Sequence, residues 1–307
     1  MNDTAIDIQS VAKSYRSKKV LNDLTLSVPT GKTFAFLGRN GAGKTTTIRM
    51  LLGQLKPNAG QLRILGLDVA RQPLEVRRRI GYLAEDQQMF GWMKVAQILK
   101  FMKPFYPTWD DTLADKYLKT FELPPKTRIK HLSKGQNCRL GLLLALAHRP
   151  ELVILDDPTL GLDPIMRKEL LRDVIDHLQG QGVTVFFSSH LLYEIEPVAD
   201  IVAILDHGHI VKQAPTEQLR DQVKQVILTP EDYDTLAPLQ GQLDVSRHNN
   251  RVAVVTEAFP EVQATLQQRS IQARVVDLNL DEIFEAYVIG KHHEQRDDKG
   301  TGVERVA

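Results

Sequence analysis

The sequence predicts an α/β protein whose core is a mostly parallel sheet, and three observations lead to this prediction. The apolar runs Val153–Asp156 and Val183–Ser188 are continuous rather than alternating, as in strands covered on both faces. A helical pattern, Ile165–Gln179, lies between them and completes a β-α-β unit. A third apolar run, Thr33–Leu37, ends in a glycine-rich turn, and a helix is predicted to follow from Lys44 to about Leu55.

Additional segments are predicted on both sides of this core. Alternating stretches at Ile6–Val11 and Leu21–Val28 predict an N-terminal antiparallel β-subdomain. We assign residues 1–215 to the main domain, with a helical insert at about 90–150, and residues 216–290 to a small C-terminal α+β domain. The polar residues 291–307 are predicted to form a disordered tail.

The small domain is predicted from short strand patterns separated by turn residues. Asn249-Asn250 is predicted to be a hairpin turn. The predicted elements, in chain order, are strands at Val223–Leu228, Leu243–Arg247 and Val252–Thr256, a helix near Pro260–Arg269, a strand near Ala273–Val276 and a helix near Leu280–Ile289.

Composition narrows the class of protein. Lys and Arg number 39 against 38 for Asp and Glu, a formal net charge of +1, which gives no support to a general nucleic-acid binder. The single Cys138 forbids an internal disulfide, and we expect it to serve helix packing. No apolar run approaches the ~18–20 residues that span a bilayer, so any membrane role is expected to come through a partner.

The turn after Thr33–Leu37 matches the phosphate-loop pattern G-x-x-x-x-G-K-[ST] between a strand and a helix. Backbone N–H groups of such a loop surround phosphate, and the positive end of the helix faces it. Lys44 is expected to reach the β- and γ-phosphates, and Thr45 to ligate Mg²⁺. The sequence therefore predicts a P-loop NTPase core that binds ATP and Mg²⁺ through Gly38, Arg39, Asn40, Gly41, Ala42, Gly43, Lys44, Thr45 and Thr46.

The strand Leu152–Asp157 ends in two adjacent carboxylates. A buried strand with this ending needs a cation or another partner to offset their repulsion. Asp156 is expected to hold Mg²⁺, and Asp157 to orient or deprotonate the attacking water. The alternative is ordinary helix N-terminal chemistry at Asp157-Pro158.

The segment Leu132–Gln136 precedes a long apolar helix pattern. Ser133 and Gln136 have the spacing of a capping box, which predicts reciprocal hydrogen bonds at the start of that helix. Between the phosphate loop and the two acids, the same segment resembles the signature motif (LSGGQ) of the ATP-binding cassette, or ABC, family. Both interpretations hold together, because a capped helix start is also an anion-binding site.

The resemblance covers about residues 5–215 and implies roles for further residues. In the family, the signature of one subunit closes over nucleotide bound by another, so Ser133, Gly135 and Gln136 are expected to contact ATP on a second subunit. Tyr15 resembles the aromatic residue that stacks on adenine, with strand-end packing as the alternative. His190 resembles the switch histidine that contacts the γ-phosphate, with a structural histidine as the alternative.

Three residues depart from the family pattern. Glu85 replaces the usual glutamine that helps position Mg²⁺ and the attacking water, and a surface acid is its alternative role. Asp157 replaces the usual glutamate, and its side chain is one methylene shorter, which predicts slow but nonzero hydrolysis. Lys134 replaces a glycine, and its charge either attracts the γ-phosphate or faces solvent.

The helical insert and the C-terminal residues Leu280–Phe284 look most like ATPase subunits of ABC-2-type exporters. Phe90, Trp92 and Met93 form an apolar cluster, and Phe105–Asp110 adds further aromatic residues. In the family, this face forms a groove that receives a short helix of the membrane subunit. Leu162-Asp163 resembles the loop that touches the facing ATPase subunit.

The resemblance thus implies an ATP-hydrolysing subunit of a membrane exporter, with Asp157, His190 and Glu85 as catalytic residues and Thr45, Asp156 and Glu85 as Mg²⁺ ligands. Its implied partners are a separate transmembrane permease and a second ATPase subunit, identical or different. The resemblance further implies that the protein is located in the cytoplasm, on the inner face of the cell membrane. The alternatives are a soluble ABC ATPase that acts on nucleic acid or ribosomes, and a regulatory subunit with little hydrolysis.

Overall fold

The structure is a computed structural model that describes residues 3–158, 175, 178, 180–189 and 195–290. Contacts divide the chain into two compact units, Met1–Ile210 and Val211–Ala307. The predicted helix Ile165–Gln179, the Leu162-Asp163 loop, His190 and the predicted tail lie outside the described residues, apart from isolated positions of that helix. Within the described part of the chain, no helix is long and apolar enough to cross a bilayer.

The first unit contains two sheets and five described helices. Its strands are β1 (Thr4–Tyr15), β2 (Lys18–Pro29), β3 (Thr33–Gly38), β4 (Ala59–Ile64), β5 (Leu67–Asp68), β6 (Ile80–Leu83), β7 (Leu152–Asp156), β8 (Thr184–Ser189), β9 (Ile201–Asp206) and β10 (His209–Pro215), which crosses the boundary between units. Its described helices are α1 (Lys44–Leu51), α2 (Pro73–Arg79), α3 (Val95–Met102), α4 (Asp111–Thr120) and α5 (Lys134–Leu146), with 3-10 turns at Lys103–Phe105 and Ile129–His131.

The central sheet has the strand order β10-β9-β3-β8-β7-β6. Strands β9, β3, β8, β7 and β6 run parallel to one another, and every residue of β3, β7 and β8 is buried. The mostly parallel core predicted from continuous apolar runs is therefore confirmed. Because parallel strands end at the same edge, Gly38, Leu83, Asp156 and Ser189 are brought to one side of the sheet.

The second sheet of this unit has the order β2-β1-β4-β5 and is antiparallel throughout. It is the N-terminal β-subdomain that the alternating segments predict. Buried side chains of β1, β2 and β4 join the same apolar core as Phe34, Phe36 and Phe186 of the central sheet. One continuous core therefore holds the two sheets together.

The helical insert contains α3, α4 and α5. The apolar run Leu140–Ala147 lies almost entirely within α5 and is buried, as predicted, and Cys138 is packed on the same helix at 5% exposure. The helix after the phosphate loop is shorter than predicted and ends at Leu51. Gly53 follows with a φ of +65°, a left-handed conformation that ends a helix.

The second unit has a four-stranded antiparallel sheet of β11 (Lys224–Leu228), β12 (Gln242–His248), β13 (Arg251–Thr256) and β14 (Arg274–Asp277). The order β12-β13-β11-β14, with α7 (Pro230–Leu236) after β11 and α8 (Phe259–Gln268) after β13, is the ferredoxin-like β-α-β-β-α-β arrangement. Helix α6 (Thr216–Gln222) precedes it, and α9 (Leu280–Glu285) and a π-helical turn (Ala286–Gly290) follow.

The hairpin turn predicted at Asn249-Asn250 is confirmed. Both residues have positive φ, 42° and 60°, as a type I′ turn requires, and asparagine tolerates that conformation. Helices α6 and α7 have no counterpart in the prediction. Each has only seven residues, too short for a clear apolar period to appear in the sequence.

Close packing of β6 on α5 makes a testable prediction at Gly81. A Cβ at this position would lie 2.3 Å from the backbone oxygen of Ala145, which cannot move without displacing α5. We expect Gly81→Ala to destabilise the protein by about 1–3 kcal/mol, the cost of overpacking a core. Thermal unfolding followed by circular dichroism measures the effect.

Gly91→Ala is the matched control, because its Cβ would lie 3.2 Å from the Cβ of Lys130 and 3.8 Å from the backbone of Lys130, with no contact as short as that at Gly81. Equal melting temperatures for the two variants would contradict the assigned packing of β6 against α5.

Candidate functional site

A cleft of about 490 Å³ lies beside the loop between β3 and α1. The β1–β2 turn, the segment after β6 and the end of β7 complete its wall. The residues that line it are Tyr15, Lys18, Val20, Arg39, Asn40, Gly41, Gly43, Lys44, Thr45, Thr46, Glu85 and Asp157. Segments far apart in sequence, each singled out for its own motif, therefore meet in one place.

The phosphate loop has the backbone that its glycines predict. Gly41 and Gly43 adopt φ values of +85° and +118°, and a Cβ on Gly43 would lie 2.6 Å from the Cδ2 atom of Leu21. Gly43 is the N-cap of α1, and no side chain caps that helix. The first N–H groups of α1 are therefore left for a ligand, which suits an anion at the positive end of the helix.

Lys44 is 7% exposed and lies against the loop. Its Nζ atom donates hydrogen bonds to the backbone oxygens of Gly38, at 2.6 Å, and Arg39, at 3.5 Å. Burial lowers the pKa of the Lys44 ammonium, and three carboxylates oppose that shift: Asp157, Asp156 and Glu85. Two of these charge partners, Asp157 and Glu85, line the same cleft as Lys44. Phosphate oxygens bound in that cleft would complete the hydrogen bonds of the ammonium.

The two acids at the end of β7 are both buried, with Asp156 4% and Asp157 8% exposed. Burial, together with the negative charges of Asp157 and Glu85, raises the pKa of Asp156 to about 6. Ionised together, these groups favour a nearby cation. Asp156 does not line the cleft itself, whereas Glu85 and Asp157 do.

Oxygen donors at this edge suit Mg²⁺, but within the described residues no group of three His, Cys, Asp or Glu side chains could hold a metal unaided. Mg²⁺ commonly uses only one or two protein carboxylates and completes its shell with phosphate oxygens and water. Thr45, Glu85 and the buried Asp156 fit that kind of site.

Asp157 has an unusual backbone conformation. Its φ is +41°, in the left-handed region, and its N–H donates to the carbonyl of Ser188 at 2.9 Å. Aspartate tolerates this region better than most side chains. The chain turns here, and the carbonyl of the following Pro158 accepts the thiol of Cys138 at 3.1 Å, which fixes the turn to α5.

The capping box predicted at the signature segment Leu132–Gln136 is confirmed. The Ser133 Oγ atom accepts the N–H of Gln136 and the Gln136 Oε1 atom accepts the N–H of Ser133, each at 3.1 Å. Ser133 and Lys134 are exposed, and Gly135 is buried. None of these residues lines the cleft that contains the phosphate loop.

Tyr15 lies at the end of β1 with 44% of its surface exposed, and the Lys13 ammonium is 5.6 Å from its ring centroid. Lys18 and Val20 also line the cleft, and the sequence did not single them out. Neither belongs to a motif. Their position follows only from the pairing of Tyr15 with Lys18 across the β1–β2 hairpin.

Sheet order, phosphate loop and facing acids define the class as a P-loop ATP-binding protein. A family model described as "ABC transporter" matches residues 21–160. The bacitracin transport ATP-binding protein BcrA of Bacillus licheniformis is 37% identical over 245 residues, which are 75% of this chain and 80% of that protein. The daunorubicin resistance ATP-binding protein DrrA3 of Streptomyces coeruleorubidus is 33% identical over 304 residues, 92% of this chain and 96% of that protein.

A solved structure titled "Structure of ATP binding subunit of ABC transporter" covers 71% of this chain and 93% of its own, with a TM-score of 0.66 and 28% identity. This chain belongs to the ABC transporter family and is one of its ATP-binding subunits, an ATPase by class. The family resemblance stated from the motifs is thereby confirmed.

Substitution of Tyr15 tests adenine stacking against strand-end packing. Stacking of a base on an aromatic ring contributes about 1–3 kcal/mol, so we expect Tyr15→Ala to weaken ATP binding by roughly 5- to 150-fold. Tyr15→Phe keeps the ring and is expected to keep the affinity. Isothermal titration calorimetry measures both. A lower melting temperature in Tyr15→Ala with unchanged affinity would favour strand-end packing instead.

Proposed function

We propose that this chain is the ATP-hydrolysing motor of a membrane exporter, in which two copies enclose each ATP between them. One observation carries the proposal. The cleft combines the phosphate loop with Glu85 and Asp157, whereas the signature Ser133 is exposed and lies outside that cleft. The donors at the start of α5 are thus available to nucleotide bound by a second molecule.

Physical chemistry supports pairing between copies. Helix α5 has 13 residues, and its N-terminus carries the positive partial charge of the helix dipole, which favours a phosphate group there. The capping box fixes Ser133 there without a ligand. An ATP held by the loop of one copy and by α5 of another would stabilise the pair, and hydrolysis would remove that stabilisation.

Within each cleft the proposed division of labour follows the chemistry of the side chains. Lys44 binds the β- and γ-phosphates, and the N–H groups of α1 surround them. Mg²⁺, when bound through Thr45, Asp156 and Glu85, neutralises phosphate charge. Asp157 orients the attacking water and accepts its proton. His190, which lies outside the described residues, is proposed to contact the γ-phosphate.

The membrane partner is proposed to dock in a groove that begins directly after Glu85. This groove has a volume of about 500 Å³, and Gln87, Met89, Met102 and Tyr106 are among its lining residues. Flexible methionines beside an aromatic ring suit an apolar helix that must be held and released. The names of the relatives, bacitracin transport and daunorubicin resistance, favour export over the alternative of a soluble ATPase acting on nucleic acid or ribosomes.

Mixing two inactive variants tests whether the site is shared between copies. One variant, Lys44→Ala, has a disabled phosphate loop and an intact signature. The other, Ser133→Arg, has a blocked signature and an intact phosphate loop. Each variant alone is expected to be inactive. Their mixture forms pairs with one intact site, and we expect about a quarter of the parent ATPase activity if copies pair at random.

The control for this experiment is a mixture of two separate preparations of Lys44→Ala, which contains no intact site. Absence of restored activity in the mixed sample, at concentrations where the parent protein is active, would contradict the shared site.

The length of the side chain at position 157 is expected to limit the rate of ATP hydrolysis. The aspartate is one methylene short of a glutamate, roughly 1 Å, and such a misplacement can cost up to ~10²-fold in rate. We expect Asp157→Glu to raise steady-state ATPase activity and to lower stability slightly, because glutamate fits the left-handed backbone less well.

Asp157→Asn is the matched loss-of-function control, with the same length and no carboxylate. If Asp157→Glu were no faster than the parent while ATP affinity stayed the same, reach at this position would not limit turnover.

A further inference from the structure

Lys134 is the first residue of helix α5, directly after the Ser133 cap, and it is exposed. A positive charge at this end of a helix is unfavourable, because the helix dipole already places a positive partial charge there. No acidic residue occurs in the first turn of α5, or anywhere in the segment 123–150. The local sequence therefore contains nothing that offsets the ammonium of Lys134.

Contacts in the folded chain do not offset this charge either. Among the described residues, Lys134 forms no ion pair with a carboxylate. The capping box satisfies the N–H of Gln136, whereas the N–H groups of Lys134 and Gly135 have no acceptor in the part of the chain that the structure describes. The start of α5 thus carries a local electrostatic cost, and natural proteins accept such costs chiefly at functional sites.

The cleft at the phosphate loop has the opposite imbalance at its phosphate end. There the ammonium of Lys44 is surrounded by the charges of three carboxylates: Asp157, Asp156 and Glu85. Two further cations line the cleft, Arg39 in the loop and Lys18 in the β1–β2 hairpin. ATP brings more negative charge than one Mg²⁺ neutralises, and that charge is largest on the terminal phosphate. An additional cation at the terminal phosphate therefore stabilises the bound nucleotide.

We propose that Lys134 donates a hydrogen bond to the terminal phosphate of ATP bound by the second copy, as a cation that adds to Lys44 of that copy. The proposal rests on the shared site of the proposed function and identifies a further residue of that site. Ser133 immediately precedes Lys134, so a copy that brings its signature to the nucleotide also brings this ammonium there. The long, flexible lysine stem delivers a point charge without a fixed geometry.

The proposal predicts opposite changes in two measurements on Lys134→Gln. Removal of an unfavourable charge from the helix start is expected to raise the melting temperature of the nucleotide-free chain by about 1–4 °C. Loss of a hydrogen bond to phosphate is expected to weaken ATP-dependent pairing by about 10-fold or more, because the contact is made at both sites of a pair. A residue with a purely structural role would change both measurements in the same direction.

Analytical ultracentrifugation of the full-length chain with Mg²⁺ and increasing ATP measures the pairing. Every protein in this experiment carries Asp157→Asn, so that ATP is not consumed. Lys134→Arg keeps the charge and is expected to pair within about threefold of the Asp157→Asn chain. Lys126→Gln is the matched control, because it removes an exposed charge from the same acid-free segment, and it is expected to pair within about twofold. Pairing of Lys134→Gln is expected to depend less steeply on salt.

ATPase activity of mixed variants that keep Asp157 distinguishes action on the second copy from action within one chain. In a mixture of Lys134→Gln with Lys44→Ala, each hybrid pair has one site that combines the intact loop of the first variant with the intact signature and Lys134 of the second. We expect about a quarter of the parent activity from these hybrid pairs at random pairing, in addition to the residual activity of Lys134→Gln pairs. If Lys134 acted on ATP of its own chain, the hybrid site would be only as active as a site of Lys134→Gln.

Several results would overturn this proposal while leaving the shared site in place. They are equal pairing of Lys134→Gln and the Asp157→Asn chain, an equal loss of pairing in Lys126→Gln or in Lys134→Arg, a fall in both melting temperature and pairing of Lys134→Gln, and a hybrid site no more active than Lys134→Gln. Absence of ATP-dependent pairing in the Asp157→Asn chain itself would overturn the shared site, and this proposal with it. The two failures are therefore distinguishable.

Discussion

The rest of this structure depends on one constraint. A lysine ammonium and two carboxylates are buried together at one edge of a parallel sheet. Lys44, Asp156 and Asp157 are each less than 9% exposed, and β3 and β7, whose ends position them, are separated only by β8. Removal of water strengthens every electrostatic interaction there. The loop glycines and the uncapped start of α1 leave backbone N–H groups open to phosphate beside the Lys44 ammonium.

The turn after β7 connects this charged edge to the helical insert. Asp157 takes a left-handed backbone, and Pro158 accepts a hydrogen bond from Cys138 of α5. Burial raises the pKa of the Cys138 thiol to about 11, so it stays protonated and can donate. The helix that presents the signature is thus joined by a hydrogen bond to the segment that carries the proposed catalytic acid.

The two ends of the site differ in how much they depend on tertiary contacts. At Ser133 the capping box satisfies the start of α5 locally, through residues only three apart. At the phosphate loop the carboxylates that balance Lys44 come from segments some 40 and 110 positions further along the chain. Local patterns therefore predicted the signature helix and its cap, whereas the carboxylates around Lys44 are brought to the loop only by the order of the strands in the sheet.

By itself, the sequence determined the parallel core, the phosphate loop, the capped signature helix and the family, since each depends on neighbours in the chain or on a short apolar period. Only the tertiary structure decided that Lys18 and Val20 line the cleft, that Asp157 has a left-handed backbone and that the aromatic side chains of the insert face solvent together. Exposure and strain are set by which distant residues pack against a position. No local pattern contains that information.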